Sequence, residues 1–140
     1  MKRFVIDCSV AMAWCFQDEA DTYSDAILEM LATAEALAPG IFLLEIANVL
    51  LVAERRKRMA EAGSTRFLGL LGELPIRIDQ TPPDRLFSAV MAVGRSQGLS
   101  SYDAAYLELA MREGAALATR DDNLREAARR SGVKLVAVRS

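Results

Sequence analysis

The sequence predicts an α/β fold: a small, mostly parallel sheet of four to five strands, flanked by helices on both faces. Three observations lead there. Short apolar runs alternate with longer helical stretches along the 140 residues. Runs such as Phe4-Val5-Ile6 and Ala115–Ala118 are apolar throughout, as in strands covered on both faces. Acids follow two of these runs, Asp7 and Asp121, and open α/β sheets keep their sites at the carboxyl ends of strands.

Each element follows from a local signal. Residues 3–7 read as a buried strand. Ser9 caps a short helix, 10–16, and a second helix covers roughly 20–34. Ala36-Leu37-Ala38 forms a short strand, stopped by Pro39-Gly40. A long helix spans about 41–57 and another about 60–73. Ile76-Arg77-Ile78 alternates like a strand. Pro82-Pro83-Asp84 opens a helix to about Gln97, with Leu86, Phe87, Val90 and Met91 on its apolar stripe. Ser100 begins a helix over 101–113. Ala115–Ala118 is a strand, Asp122–Ser131 a helix ended by Gly132, and Val133–Val138 the last strand. There is no repeat, linker or low-complexity segment, so 1–140 reads as one domain.

Composition narrows the chemistry. The chain has no histidine, which excludes a Ser-His-Asp hydrolase, a Cys-His pair and a His-based ribonuclease. Two cysteines without histidine leave no zinc site. On one helix, Cys8 and Cys15 lie about 10.5 Å apart, too far for a disulfide. An apolar fraction of 52% excludes a disordered chain. No apolar run is long enough for a membrane-spanning helix. No signal peptide is recognised, so a cytoplasmic location is expected. The net charge of −2 does not mark a nucleic-acid binder, though local basic clusters exist.

Four acids stand out. Asp7 ends the first strand. Glu45 and Asn48 are the only polar residues in IFLLEIANVLLVA, 41–53; three apart, they share a helix face. A helix this apolar is expected to be buried on most sides, where a lone carboxylate is costly. Asp103 stands three residues after Ser100 in LSSYDAAY, the spacing of a capping box. Tyr102 and Tyr106 beside it read as packing residues. Asp121 and Asp122 follow the strand that ends at Thr119, and either can cap the next helix. If the four acids converge, their repulsion calls for protons or cations. An oxygen-only donor set selects Mg²⁺ or Mn²⁺.

The stretches VIDCSVAMAW, LLEIANVL, LSSYDAAYLELA and LATRDDNL, in this order and spacing, resemble PIN-domain nucleases, in particular VapC-type toxins of toxin–antitoxin pairs. The resemblance covers essentially the whole chain. It implies a PIN-like fold and a metal site built from Asp7, Glu45, Asp103 and Asp121. Ser9, Asn48 and Thr119 would hold these carboxylates, and Asp122 could share the work of Asp121. It further implies an Mg²⁺- or Mn²⁺-dependent endoribonuclease that attacks RNA with water. A small VapB-type antitoxin and a homodimer or toxin–antitoxin hetero-oligomer are the implied partners.

Arg55, Arg56, Lys57 and Arg58 are the candidate RNA phosphate contacts, and Arg120, Arg125, Arg129 and Arg130 flank the last motif. Trp14 and Phe16 are candidates for a partner surface, against core packing. Two alternatives stay open. One is an aspartate-based phosphatase or phospho-accepting domain, although Ser9 stands where such phosphatases carry a second Asp. The other is a non-catalytic PIN-fold interaction protein.

Overall fold

The computed structural model describes residues 2–138. Strand β1 (Arg3–Ile6) is followed by helix α1 (Cys8–Cys15), a 3₁₀ turn (Gln17–Glu19) and α2 (Thr22–Met30). Next come β2 (Glu35–Pro39), α3 (Ile41–Arg55), α4 (Glu61–Gly72) and β3 (Ile76–Asp79). A composite helix then joins α5 (Pro83–Arg85), a π turn (Leu86–Val90) and α6 (Met91–Gln97). Helix α7 (Ser101–Glu113), β4 (Ala116–Ala118) and α8 (Asp122–Arg130) complete the order.

The four strands form one parallel sheet in the order β3-β2-β1-β4. Successive strand residues point to opposite faces. Phe4, Val5 and Ile6 are all fully buried, so β1 is covered on both faces. Helix α7 packs across β1, β2 and β4, and α3 packs on β2 and α1.

The chain leaves β1 for β2 on one side and later places β4 on the other. The crevice at the carboxyl ends of β1 and β4 is therefore the point where strand order reverses, the usual site position in an open α/β sheet. Asp7 and Thr119 stand there, immediately after Ile6 and Ala118, which pair in register.

Several expected elements change. The last strand, 133–138, reduces to a single parallel bridge between Leu117 and Leu135. Helix α1 starts at Cys8, ahead of Ser9, with Asp7 in the capping position. Helix α2 begins after Asp21, whose carboxylate accepts the Ser24 N–H, and ends at Met30. The apolar stripe on the 83–97 helix is not a core stripe: only Val90 is buried, and Phe87 is 72% exposed. Nor is α3 buried on most sides. Phe42, Ile46, Leu50 and Ala53 face the core, while Leu43, Leu44 and Leu51 are exposed. Phe16 is buried in the core, and the partly buried Trp14 packs against that core and donates its indole N–H to the Ser24 carbonyl. Cys8 and Cys15 are free.

Candidate functional site

Asp7 is 6% exposed. Its backbone N–H donates to the Ala118 carbonyl at 3.0 Å, extending the β1–β4 ladder by one bond. Its carboxylate is held from both sides. Ser9 Oγ donates to Asp7 Oδ2 at 2.9 Å, and Thr119 Oγ1 donates to the same oxygen at 2.7 Å. The proton directions are fixed by what each hydroxyl accepts. Ser9 Oγ takes the Arg120 N–H at 3.0 Å and Thr119 Oγ1 takes the Asp121 N–H at 3.0 Å, so each hydroxyl turns its own proton to Asp7. Ser9 and Thr119 thus hold Asp7. Asn48 is exposed on α3 and makes no hydrogen bond to the four acids among the described residues.

Asp121 caps α8, accepting the Leu124 N–H at 2.9 Å through Oδ1. Asp122 is exposed at the first position of that helix. At α7, only half of the expected capping box forms. Ser100 Oγ accepts the Asp103 N–H at 3.2 Å, and among the described residues no donor reaches the Asp103 carboxylate. Glu45 is half-buried on α3, and the Tyr106 hydroxyl of α7 donates to its Oε1. Tyr106, expected only to pack, is completely buried and also makes this polar contact; Tyr102, expected to pack, is 59% exposed.

The electrostatics tie these acids together. Burial raises the Asp7 pKa above its ordinary value, against the hydrogen bonds from Thr119, Ser9 and the Cys8 N–H; the Asp121 charge raises it further. Burial likewise raises Glu45, against the Tyr106 bond and with the charges of Asp7 and Asp103. Burial raises Asp103, with Asp121 and Asp7 adding to it. Each of the four carboxylates is thus within electrostatic reach of others in the set. None joins an ion pair among the described residues. Several arginines are matched to other acids instead, among them Arg58, Arg112 and Arg120.

These donors suit a hard divalent cation: they are all oxygen, anionic, and mutually repelling without one. Burial pushes the Cys8 thiol up to about 12, so it stays neutral and offers no thiolate. The acids do not form a closed cage. Among the described residues, no group of three or more Asp, Glu, Cys or His side chains is close enough to hold an ion as it stands. Ions would have to draw the carboxylates together, which the half-exposed Glu45 and Asp103 allow.

A groove of about 570 Å³ opens beside the acids, lined by Cys8, Glu45, Asn48, Leu44, Leu51 and Tyr102 among others. A smaller hollow shares Asn48 and Val49 with it and reaches Arg56 and Arg58. Of the predicted phosphate contacts, Arg55, Arg56 and Lys57 are exposed; Arg55, the last residue of α3, lies about 15 Å along the helix axis from Glu45. Arg58 is occupied: it pairs with Asp18 at 3.1 Å and Glu19 at 3.3 Å and stacks on Phe16. Arg120 pairs with Asp21 at 2.6 Å, and Arg125 donates to the Thr119 carbonyl and lies over Tyr23. Arg129 pairs with Glu126, and Arg130 with Gln97. Lys134, which a phosphoaspartate site would need, lines a separate cleft with Gly114 and Ser131.

A family model for the PIN domain matches residues 4–130, and the chain belongs to that family. Among solved structures, PAE2754 from Pyrobaculum aerophilum superposes with a TM-score of 0.68 at 24% identity, covering 90% of this chain and 86% of that one. VapBC2 from Rickettsia felis, bound to a DNA fragment from its promoter, gives 0.67 at 12% identity over 96% and 97%. VapC20 of Mycobacterium tuberculosis, a Sarcin-Ricin loop cleaving toxin, gives 0.65 at 14% over 98% and 99%. At these identities the likeness is one of fold. A search of curated proteins finds no match.

Proposed function

We propose that this chain is a divalent-metal-dependent endoribonuclease of the VapC toxin type, neutralised by a small antitoxin. One observation carries the reading: Asp7, held by Ser9 and Thr119 at the strand-order reversal, lies within electrostatic reach of Glu45, Asp103 and Asp121, and none of the four has a cationic partner among the described residues. The PIN-domain membership and the toxin neighbours support it.

Asp7, Glu45, Asp103 and Asp121 would hold Mg²⁺ or Mn²⁺. A divalent ion bound there supplies positive charge beside the phosphate and makes a water molecule more acidic. The protein's own groups do the rest. Ser9 and Thr119 aim the Asp7 carboxylate, and their hydrogen bonds favour its ionised form against the burial that opposes it. Asp121 is held by its cap, which fixes its distance from the β4 end. The exposed Arg55, Arg56 and Lys57 attract the RNA backbone toward the groove. The antitoxin and an oligomeric state belong to the same reading, as does a cytoplasmic place of action.

The test is RNA cleavage by purified protein with Mn²⁺, with Mg²⁺ and with chelator. Asp7→Asn should cut no RNA while melting as a folded protein. Cleavage that persists in chelator, or in Asp7→Asn with the ion, overturns the reading. Expression should arrest growth, and the product of an adjacent small gene should relieve the arrest.

A further inference from the structure

The bond between the Tyr106 hydroxyl and Glu45 Oε1 joins the two helices that carry acids of the site. Glu45 lies on α3, which packs on β2 and α1. Asp103 lies on α7, three residues before Tyr106 and on the same helical face. The glutamate is long and half-exposed, so packing alone leaves it several rotamers. The tyrosine is the reverse: its ring is wholly buried in the main core, and its hydroxyl is a fixed point. A buried phenol needs an acceptor, and here it has taken a carboxylate that the site would otherwise leave loose.

We propose that Tyr106 is a positioning residue for Glu45, setting the spacing between Glu45 and Asp103 so that both reach one divalent cation. The bond engages Oε1 and leaves Oε2 as the oxygen available to the ion. Tyr106 touches neither ion nor substrate; it acts only through Glu45. This rests on the reading of the four acids as a metal centre.

Tyr106→Phe removes the hydroxyl and keeps the ring. Calorimetry should show Mn²⁺ bound about tenfold more weakly than by the wild type, in protein whose chelator-treated melting curve shows an intact fold. In a Glu45→Ala background the same substitution should have little further effect, because the bond it removes is already gone. A second arm needs no change at Tyr106. The ¹³C resonance of its ring carbon Cζ should shift as Mg²⁺ is titrated into wild-type protein, and stay still in Glu45→Ala. Wild-type affinity in Tyr106→Phe, an undiminished loss in the Glu45→Ala background, or a stationary Cζ resonance in wild-type protein that binds the ion overturns the role of Tyr106 and leaves the acidic centre standing. Wild-type protein that binds no divalent cation overturns both.

Discussion

The Asp7 carboxylate is buried, accepts two hydroxyl protons at one oxygen, and lies within reach of the Asp121 charge. Desolvation outweighs the hydrogen bonds, so its pKa is raised, as are those of Glu45 and Asp103. A raised carboxylate pKa means the fold holds more protons than the unfolded chain between the ordinary and raised values. Stability therefore drops as pH climbs through that interval. The lowered pKa values of Asp21, from hydrogen bonds to Ser24 and the charge of Arg120, and of Asp79, beside Arg112, act oppositely, losing stability as pH falls. Comparison with a variant isolates the site. In chelator, Asp7→Asn should be more stable than wild type at pH 7 and gain less at pH 4, measured by urea unfolding at both. Mg²⁺ should stabilise wild type and leave the variant unchanged. Much of this was legible in the sequence, because Asp7, Asp103 and Asp121 each sit beside a strand end or helix cap. The Tyr106 contact was not: a tyrosine at helical spacing looks the same whether or not its hydroxyl meets an acid on another helix.

At the level of elements, caps decide where helices stop and which acids remain free. Ser100 caps α7 alone, leaving the Asp103 carboxylate out of the cap. At the other end of α7, Gly114 adopts φ 59°, a left-handed conformation costly for residues with a Cβ. Gly114→Ala meets no atom within 4 Å, so its cost is conformational. It should destabilise the fold by about 1 kcal/mol in chemical denaturation, without changing cleavage. Helix α3 ends in the exposed Arg55 and Arg56. If they attract RNA, Arg55→Gln/Arg56→Gln should lower affinity and reduce the slope of log K against log salt by about 2, read from binding titrations over a salt series. Helix periodicity marked α3 correctly as a long helix and misjudged its burial. A mostly apolar stretch does not say how many of its sides the rest of the chain reaches.

Over the whole molecule, a second polar cluster braces the sheet away from the acids. Glu108 on α7 is buried and accepts from Arg85 and Arg112, while Arg112 also pairs with Asp79 at the end of β3 at 2.9 Å. Thr81 donates to Asp79 as well. This network links α5, α7 and the edge strand, and its charges are matched where, among the described residues, those of the candidate site are not. Arg112→Met leaves Glu108 with only Arg85, which is partly exposed. It should cost about 2 kcal/mol of folding stability by urea unfolding, while metal affinity stays at the wild-type value. The contrast separates acids that serve the fold from acids whose repulsion the fold tolerates.

The sequence by itself determined the element order, the parallel sheet and the acids beside its strand ends, because these depend on local periodicity, turn residues and caps. Only the tertiary structure decided that β4 lies on the opposite side of β1 from β2, which creates the crevice at Asp7. It also decided that Tyr106 reaches Glu45, that Arg58 is spent on Asp18 and Glu19, and that the last strand shrinks to one bridge. Each of these depends on the spacing between segments far apart in the chain, which no local pattern encodes.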